Sequence, residues 1–339
     1  MEIRKPTIGI SMGDPLGVGA EIIVKSLALH NLTSQANFII FGLASQLRDT
    51  ACALNVDFDF TIAQNASNAD LSKSICVVDY PQHEMPEDLK HAPSRIGGKA
   101  SLDFYSDLIS AAQDKIVDAI VTAPISKTSW IKAGQRKFPG HTEMLAYRCR
   151  SRKYAMMFVA PKLKIVLATI HDQLMSLRNK ITIGTVYNPI ELAHEMLKNQ
   201  LGIAKPKIGV AGLNPHAGES GNIGDEEYRI ISPAIQLAND AGMNVVGPIP
   251  ADTIFNRAIA GEFDCVVAMY HDQGMIPIKL LAWDDAVNTT IGLPIIRTSP
   301  DHGTAFDIAS KFIASESSMK AAIILAIDLA NKSSAEIEI

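Results

Sequence analysis

Three features of the sequence predict an α/β fold with a largely parallel or mixed sheet. Short runs rich in valine and isoleucine recur along the chain, amphipathic stretches of helical length separate several of them, and 339 residues exceed what one compact domain usually holds. Length therefore favours two domains or one elaborate α/β body.

The apolar runs at 7–11, 38–41, 75–79, 119–122, 155–159, 163–169, 208–211, 245–247 and 265–269 read as buried strands, because most lack the alternation of a half-exposed strand. The stretches 20–29, 100–117, 225–238 and 317–331 repeat apolar residues at helical spacing. Segments 65–72 and 81–95, polar and containing proline, asparagine or aspartate, read as surface loops or joints, and no fixed-period repeat is present.

Composition narrows the function classes. With 47% hydrophobic and 20% charged residues the chain has ordinary globular usage, which argues against a disordered or fibrous protein. A net charge of −5 disfavours nucleic acid and anionic membrane as partners, since both require a basic surface, and leaves small molecules. Cys52, Cys76, Cys149 and Cys265 are scattered without a Cys-x-x-Cys pair, so they read as reduced thiols rather than a disulfide frame or thiolate zinc site. No signal-like segment follows Met1 and no run reaches bilayer-spanning length, which points to a cytoplasmic protein.

His171, His216 and His271 each lie just beyond an apolar strand-like run. Functional groups collect at the carboxyl ends of strands in open α/β folds, so three imidazoles there suit one divalent metal, with Asp172 and Asp272 as orienters; a structural role for each histidine is the competing reading. Such a metal leaves a position for a hydroxyl or for water and serves a dehydrogenase or a hydrolase equally. Gly13-Asp14-Pro15-Leu16-Gly17-Val18-Gly19 sits between the first strand and a helix and suits a tight turn, with or without a phosphate near the helix start; its glycine spacing is not the dinucleotide fingerprint. Gly140-His141-Thr142-Glu143 places donors at a helix start, where an anionic group would be held or the helix simply capped. Lys279, Asn288 and Arg297 offer a point charge, an amide and a bidentate fork for phosphate or carboxylate. The turn Asp301-His302-Gly303-Thr304-Ala305-Phe306-Asp307 suits an adenosine-binding loop or a plain helix entry.

Seven segments together carry a resemblance over most of the chain. They are Ser11-Met12-Gly13-Asp14-Pro15, Thr122-Ala123-Pro124-Ile125-Ser126-Lys127, Gly140-His141-Thr142-Glu143, Leu213-Asn214-Pro215-His216-Ala217-Gly218-Glu219, Pro250-Ala251-Asp252-Thr253, Tyr270-His271-Asp272-Gln273-Gly274 and Gly292-Leu293-Pro294-Ile295-Ile296-Arg297-Thr298-Ser299. In this order they resemble the 4-hydroxythreonine-4-phosphate dehydrogenase family of pyridoxal phosphate biosynthesis. The resemblance implies a two-lobed fold like that of isocitrate and isopropylmalate dehydrogenases, with the active site in the interlobe cleft. One lobe would comprise 1–130 and 290–339, on the cofactor side, and the other 131–289, with the metal and the dimer interface.

It further implies His171, His216 and His271 as metal ligands, one contributed by the partner subunit of a homodimer. His141, Thr142, Lys279, Asn288 and Arg297 would bind substrate, Gly13, Asp14, His302, Gly303 and Thr304 the cofactor, and Lys279 or Asp252 would carry a proton. The activity implied is metal-dependent, NAD- or NADP-linked oxidation of 4-phosphooxy-L-threonine to a 3-keto acid that decarboxylates to 3-amino-2-oxopropyl phosphate, with zinc, cobalt or magnesium as the ion. Leu16 and Ala20 replace an alanine and a proline common in the first motif, and Ser310 replaces a glycine. Relatives acting on 4-phospho-threonate, 4-phospho-erythronate or aromatic cis-diols share the histidines, while Pro250-Ala251-Asp252-Thr253 and Gly212-Leu213-Asn214 are more similar to the pyridoxal branch. The other classes open to the same residues are a zinc hydrolase or lyase without nicotinamide and a non-catalytic binder of phosphorylated metabolites.

Overall fold

A computed structural model describes residues 4–86 and 88–337 of the chain. Two compact units emerge: the residues up to Ser151 together with those from Pro294 onward, and Arg152–Leu293. Hence the helix His141–Arg148, with His141 and Thr142, belongs to the first unit rather than to a central lobe starting at 131, and its first turn is tied to that unit's core by the Tyr105 hydroxyl, which donates to the His141 carbonyl at 2.9 Å.

The first unit opens with β1 (Thr7–Ser11), α1 (Gly19–Leu29), β2 (Asn37–Gly42), α2 (Ala44–Leu54), β3 (Thr61–Ala63) and β4 (Ile75–Asp79). It continues through α3 (Arg95–Gln113), β5 (Ala119–Thr122), α4 (Lys127–Lys132) and α5 (His141–Arg148). The second unit contains β6 (Ala155–Ala160), β7 (Leu163–Leu167), α6 (Leu177–Lys180), α7 (Ile183–Glu195), β8 (Lys207–Ala211), α8 (Ser232–Asp240), β9 (Asn244–Ile249), α9 (Ala251–Ile259), β10 (Cys265–Ala268), α10 (His271–Leu281) and β11 (Val287–Ile291). The chain then returns to the first unit with β12 (Ile296–Pro300) and α11 (Ser317–Ile337).

In the first unit the strand order is β3-β4-β2-β1-β5-β12, and every pairing is parallel. Parallel sheets are covered on both faces, which accounts for the unbroken apolar runs: Ile8, Ile10, Phe38, Ile40, Val77 and Ile120 are all fully buried. The second unit runs β11-β6-β7-β10-β8-β9, with β6 antiparallel to both β11 and β7 and the remaining pairs parallel. Its core gathers Phe158, Ile165, Leu167, Ile254, Val266 and Ile278.

Three strands escape the apolar-run criterion. β3 is short, and β11 and β12 are polar: Thr289, Thr290, Arg297, Thr298 and Ser299 are buried despite their chemistry. The helix expected at 100–117 instead spans Arg95–Gln113. Ser94 caps it, its hydroxyl accepting from the Gly97 amide at 2.9 Å, and Lys115 at φ 57° closes its far end.

Gly97 and Gly98 do not break this helix, because close packing requires them. A Cβ on Gly98 would lie 2.0 Å from the Ser129 carbonyl oxygen of α4. Gly98→Ala is therefore expected to cost about 1–3 kcal/mol, although alanine is the better helix former, since α3 and α4 must separate. Urea unfolding measures this, and a midpoint at or above that of the wild type would show that the contact gives way freely.

Candidate active site

Arg297 lies in the middle of β12 and is only 3% exposed. β12 runs parallel to β5 with Arg297 opposite Ile120, so the guanidinium reaches Thr122, two residues further along β5 and on the same face. Arg297 Nη2 donates to Thr122 Oγ1 at 2.8 Å and Nε to the same oxygen at 3.2 Å, while Nη1 lies 3.5 Å from Thr142 Oγ1. Thr142 and His141 open α5, so three residues assigned separately to substrate binding converge on one wall.

His141 is enclosed by aromatic rings, with centroid distances of 4.4 Å to Tyr105 and 5.6 Å to Trp130, both edge-on. Its Nε2 is buried and without a hydrogen-bond partner. Burial first, then the charges of Arg297 and Lys127, pushes its pKa well below the ordinary histidine value, so the ring is neutral near neutral pH. A neutral imidazole with an orphaned nitrogen beside a guanidinium is suited to a hydrogen bond with a ligand oxygen. Sequence reading missed Thr122, Tyr105 and Trp130. Thr122 does open one of the seven motifs, but only the register of β5 on β12 reveals its role.

The two loops assigned to the cofactor meet. The Val18 amide donates to the Thr304 carbonyl at 3.0 Å, and a Cβ on Gly17 would lie 2.7 Å from that oxygen. Gly13 sits at φ 75°, where a side chain would strike the Pro124 carbonyl at 2.3 Å, so glycine is required there. Asp14, in contrast, faces inward. Its carboxylate is fully buried, accepts from the Leu16 amide at 3.2 Å and lies against Gly97 in the first turn of α3, where the helix dipole favours an anion. Burial raises its pKa, with bonds from Ser129 and Leu16 opposing. Asp14 thus shapes the loop rather than offering its side chain to a ligand. His302 and Gly303 are exposed, and nothing lies within 4 Å of a Cβ placed on Gly303.

In the second unit β7 pairs with β10, Leu167 opposite Ala268, and the ends are tied by Thr169 Oγ1 donating to the Met269 carbonyl at 2.7 Å. His171 and His271 therefore emerge side by side, ring centroids 5.7 Å apart, in a pocket of about 210 Å³ that Asp172, Leu174, Tyr270 and Asp272 also line. Asp172 is paired with Lys180.

β8 is the next strand beyond β10, so His216 emerges at the same end of the sheet, five residues after Ala211. It begins a left-handed turn, His216 to Ser220, in which every residue has positive φ and only Gly218 lacks a Cβ. Each such non-glycine residue costs roughly 1–2 kcal/mol, so the surrounding contacts must enforce the turn.

His216 is 68% exposed at its side chain, and Nδ1 lies 2.7 Å from Glu219 Oε2. His271 Nδ1 likewise lies 2.7 Å from Asp272 Oδ1. A carboxylate on one ring nitrogen leaves Nε2 as the donor to a metal, the arrangement found around imidazole ligands. The donor set thus fits a metal, but among the described residues no three such groups converge within one chain.

The remaining assigned residues lie apart in sequence. Lys279 is in the last turn of α10, its ammonium 5.2 Å from the Trp283 ring centroid. Asn288, on β11 opposite Phe158, has a buried Oδ1 without a hydrogen-bond partner. Asp252 is exposed in the first turn of α9.

The scaffold is α/β, with a buried anion-directed wall in one unit and paired imidazoles at strand ends in the other, and comparison with known proteins places the chain among the oxidoreductases of the dehydrogenase class. A family model described as pyridoxal phosphate biosynthetic protein PdxA matches residues 34–326. D-threonate 4-phosphate dehydrogenase from Cupriavidus necator is 44% identical over 96% of this chain and 98% of its own. 4-Hydroxythreonine-4-phosphate dehydrogenase from Desulforapulum autotrophicum is 41% identical over 96% of both chains. The crystal structure of 4-hydroxythreonine-4-phosphate dehydrogenase from Klebsiella pneumoniae, 39% identical, superposes with a TM-score of 0.86 over 98% of this chain and 100% of that one. The chain belongs to the PdxA family of pyridoxal phosphate biosynthetic proteins, and it is a dehydrogenase. Among the described residues no helix is long and apolar enough to cross a membrane.

The depressed pKa of His141 carries a sign. The folded protein binds fewer protons there than the unfolded chain, so stability is unaffected above the ordinary value of 6.5 and falls as pH drops below it. Urea unfolding between about pH 7.5 and 5.5 should show this loss, and His141→Gln should flatten it. An identical pH slope in the variant would show that His141 is not the group responsible.

Proposed function

We propose that the protein oxidises 4-phosphooxy-L-threonine at its secondary hydroxyl, giving a 3-keto acid that loses carbon dioxide to form 3-amino-2-oxopropyl phosphate. The observation that carries this reading is the buried Arg297 fork beside the orphaned His141 Nε2, a wall built for an oxyanion rather than for a neutral substrate. Arg297, His141 and Thr142 would take one anionic end of the substrate, and Lys279 and Asn288 would bind the remaining polar groups. Asp252, or Lys279 in its neutral amine form, would take the hydroxyl proton as the C–H bond gives up its electron pair.

His171, His216 and His271 would hold a zinc, cobalt or magnesium ion, which would supply Lewis acidity, and the Gly13 and His302–Thr304 loops would hold NAD or NADP, which would supply the hydride acceptor. The reading includes a cytoplasmic homodimer in which the partner subunit contributes one of the three histidines. A second reading, oxidation of D-threonate 4-phosphate, is supported by relatives bearing that name at 42–44% identity, against 39–42% for those named for 4-hydroxythreonine 4-phosphate.

NAD(P)H formation by the metal-replete protein separates these readings when each substrate is supplied with and without a chelator. Chelator-sensitive turnover selective for the amino acid is expected. Selectivity for the threonate would keep the chemistry and change the substrate, and metal-dependent turnover without NAD(P)H would replace the dehydrogenase mechanism for this site with hydrolysis.

A further inference from the structure

We infer that Glu227 is a positioning residue that holds the left-handed turn of His216 and so presents the imidazole for metal binding; the inference rests on His216 being a ligand. Glu227 is 5% exposed and lies just after the turn in sequence. Its Oε1 accepts from the amides of Leu213 at 2.8 Å and Asn214 at 2.7 Å, and its Oε2 accepts from Asn214 Nδ2 at 2.9 Å. One carboxylate therefore fixes both residues that enter the turn.

Glu227 also occupies the space the turn encloses. A Cβ on Gly218 would lie 2.7 Å from Oε2 and one on Gly212 3.3 Å from Oε1, so the carboxylate is seated between the strand end and the middle of the turn. The backbone bonds within the segment, from the Ala217 amide to the Asn214 carbonyl at 3.1 Å, the Ile223 amide to the Gly218 carbonyl at 3.1 Å and the Asn222 amide to the Glu219 carbonyl at 3.2 Å, begin from Asn214, which Glu227 holds at both its amide and its side chain. Glu226 supplies only a second acceptor for Asn214 Nδ2, at 2.8 Å. Glu219 orients the imidazole, whereas Glu227 sets the backbone from which it projects.

Glu227→Gln is nearly isosteric but sets an amide nitrogen against Asn214 Nδ2. Cobalt affinity, measured by competition with a chromophoric chelator, should fall about 10- to 100-fold, as when an outer-shell partner is lost. Amide hydrogen exchange over residues 212–224 of the metal-free protein should accelerate, and Glu226→Gln should change both readouts less. Asn214→Ala, which leaves the two backbone bonds in place, should move both the same way by less and serves as the test if Glu227→Gln does not fold. Wild-type cobalt affinity in Glu227→Gln alongside loss of affinity in His216→Ala would overturn the inference. Unchanged affinity in His216→Ala would instead overturn the ligand reading, and unchanged exchange over 212–224 in Glu227→Gln would then overturn the holding role as well.

Discussion

Parallel pairing of strands is the constraint on which the rest of the structure depends. Strands that run the same way release their following loops at the same edge, and their register decides which loop residues become neighbours. Leu167 opposite Ala268 sets His171 beside His271, and Arg297 opposite Ile120 sets the guanidinium beside Thr122. Shifting either register by one residue would turn these side chains to the opposite face and leave Arg297 buried without the hydroxyl that receives it. The apolar runs that drive sheet burial thereby also fix the chemistry.

Much of this was legible from the residues alone. Seven of the nine expected strands begin and end as read or within one residue, because buried strands are continuous apolar runs bounded by polar turns. The three histidines were recognisable as strand-end residues for the same reason. What escaped were elements stabilised by polar contacts: β12 contains a buried arginine that donates to Thr122 and a buried threonine, Thr298, that donates to the Ala322 carbonyl of α11. The start of α3 was hidden by two glycines, which normally weaken a helix but here allow close contact with α4. Asp14 was legible as part of a functional loop but not in its orientation, since a carboxylate turned inward to a helix start has the same sequence pattern as one turned outward.

Charge management differs between the two units. In the first, a guanidinium and an imidazole share a dry environment, and the imidazole yields by remaining neutral. In the second, the histidines stay near solvent, and carboxylates beside His216 and His271 accept a ring proton. A neutral ring in a dry wall recognises by hydrogen bonding, and a carboxylate-backed ring near water is prepared to donate a lone pair. The same residue type thus performs two kinds of work because its solvation differs.

Placing Arg297 within a strand instead of on a loop has a consequence for divergence within the fold. A fork anchored in the sheet cannot follow an anionic group that shifts, so on the proposed reading it is the fixed datum from which a substrate is measured. New specificities would therefore arise by keeping that end of the molecule constant and altering what surrounds the other end, through residues on loops and helix termini that can move without breaking a ladder. Exchanging a substituent at the far end is a change such a scaffold can absorb, whereas moving the anionic group held by the fork is not.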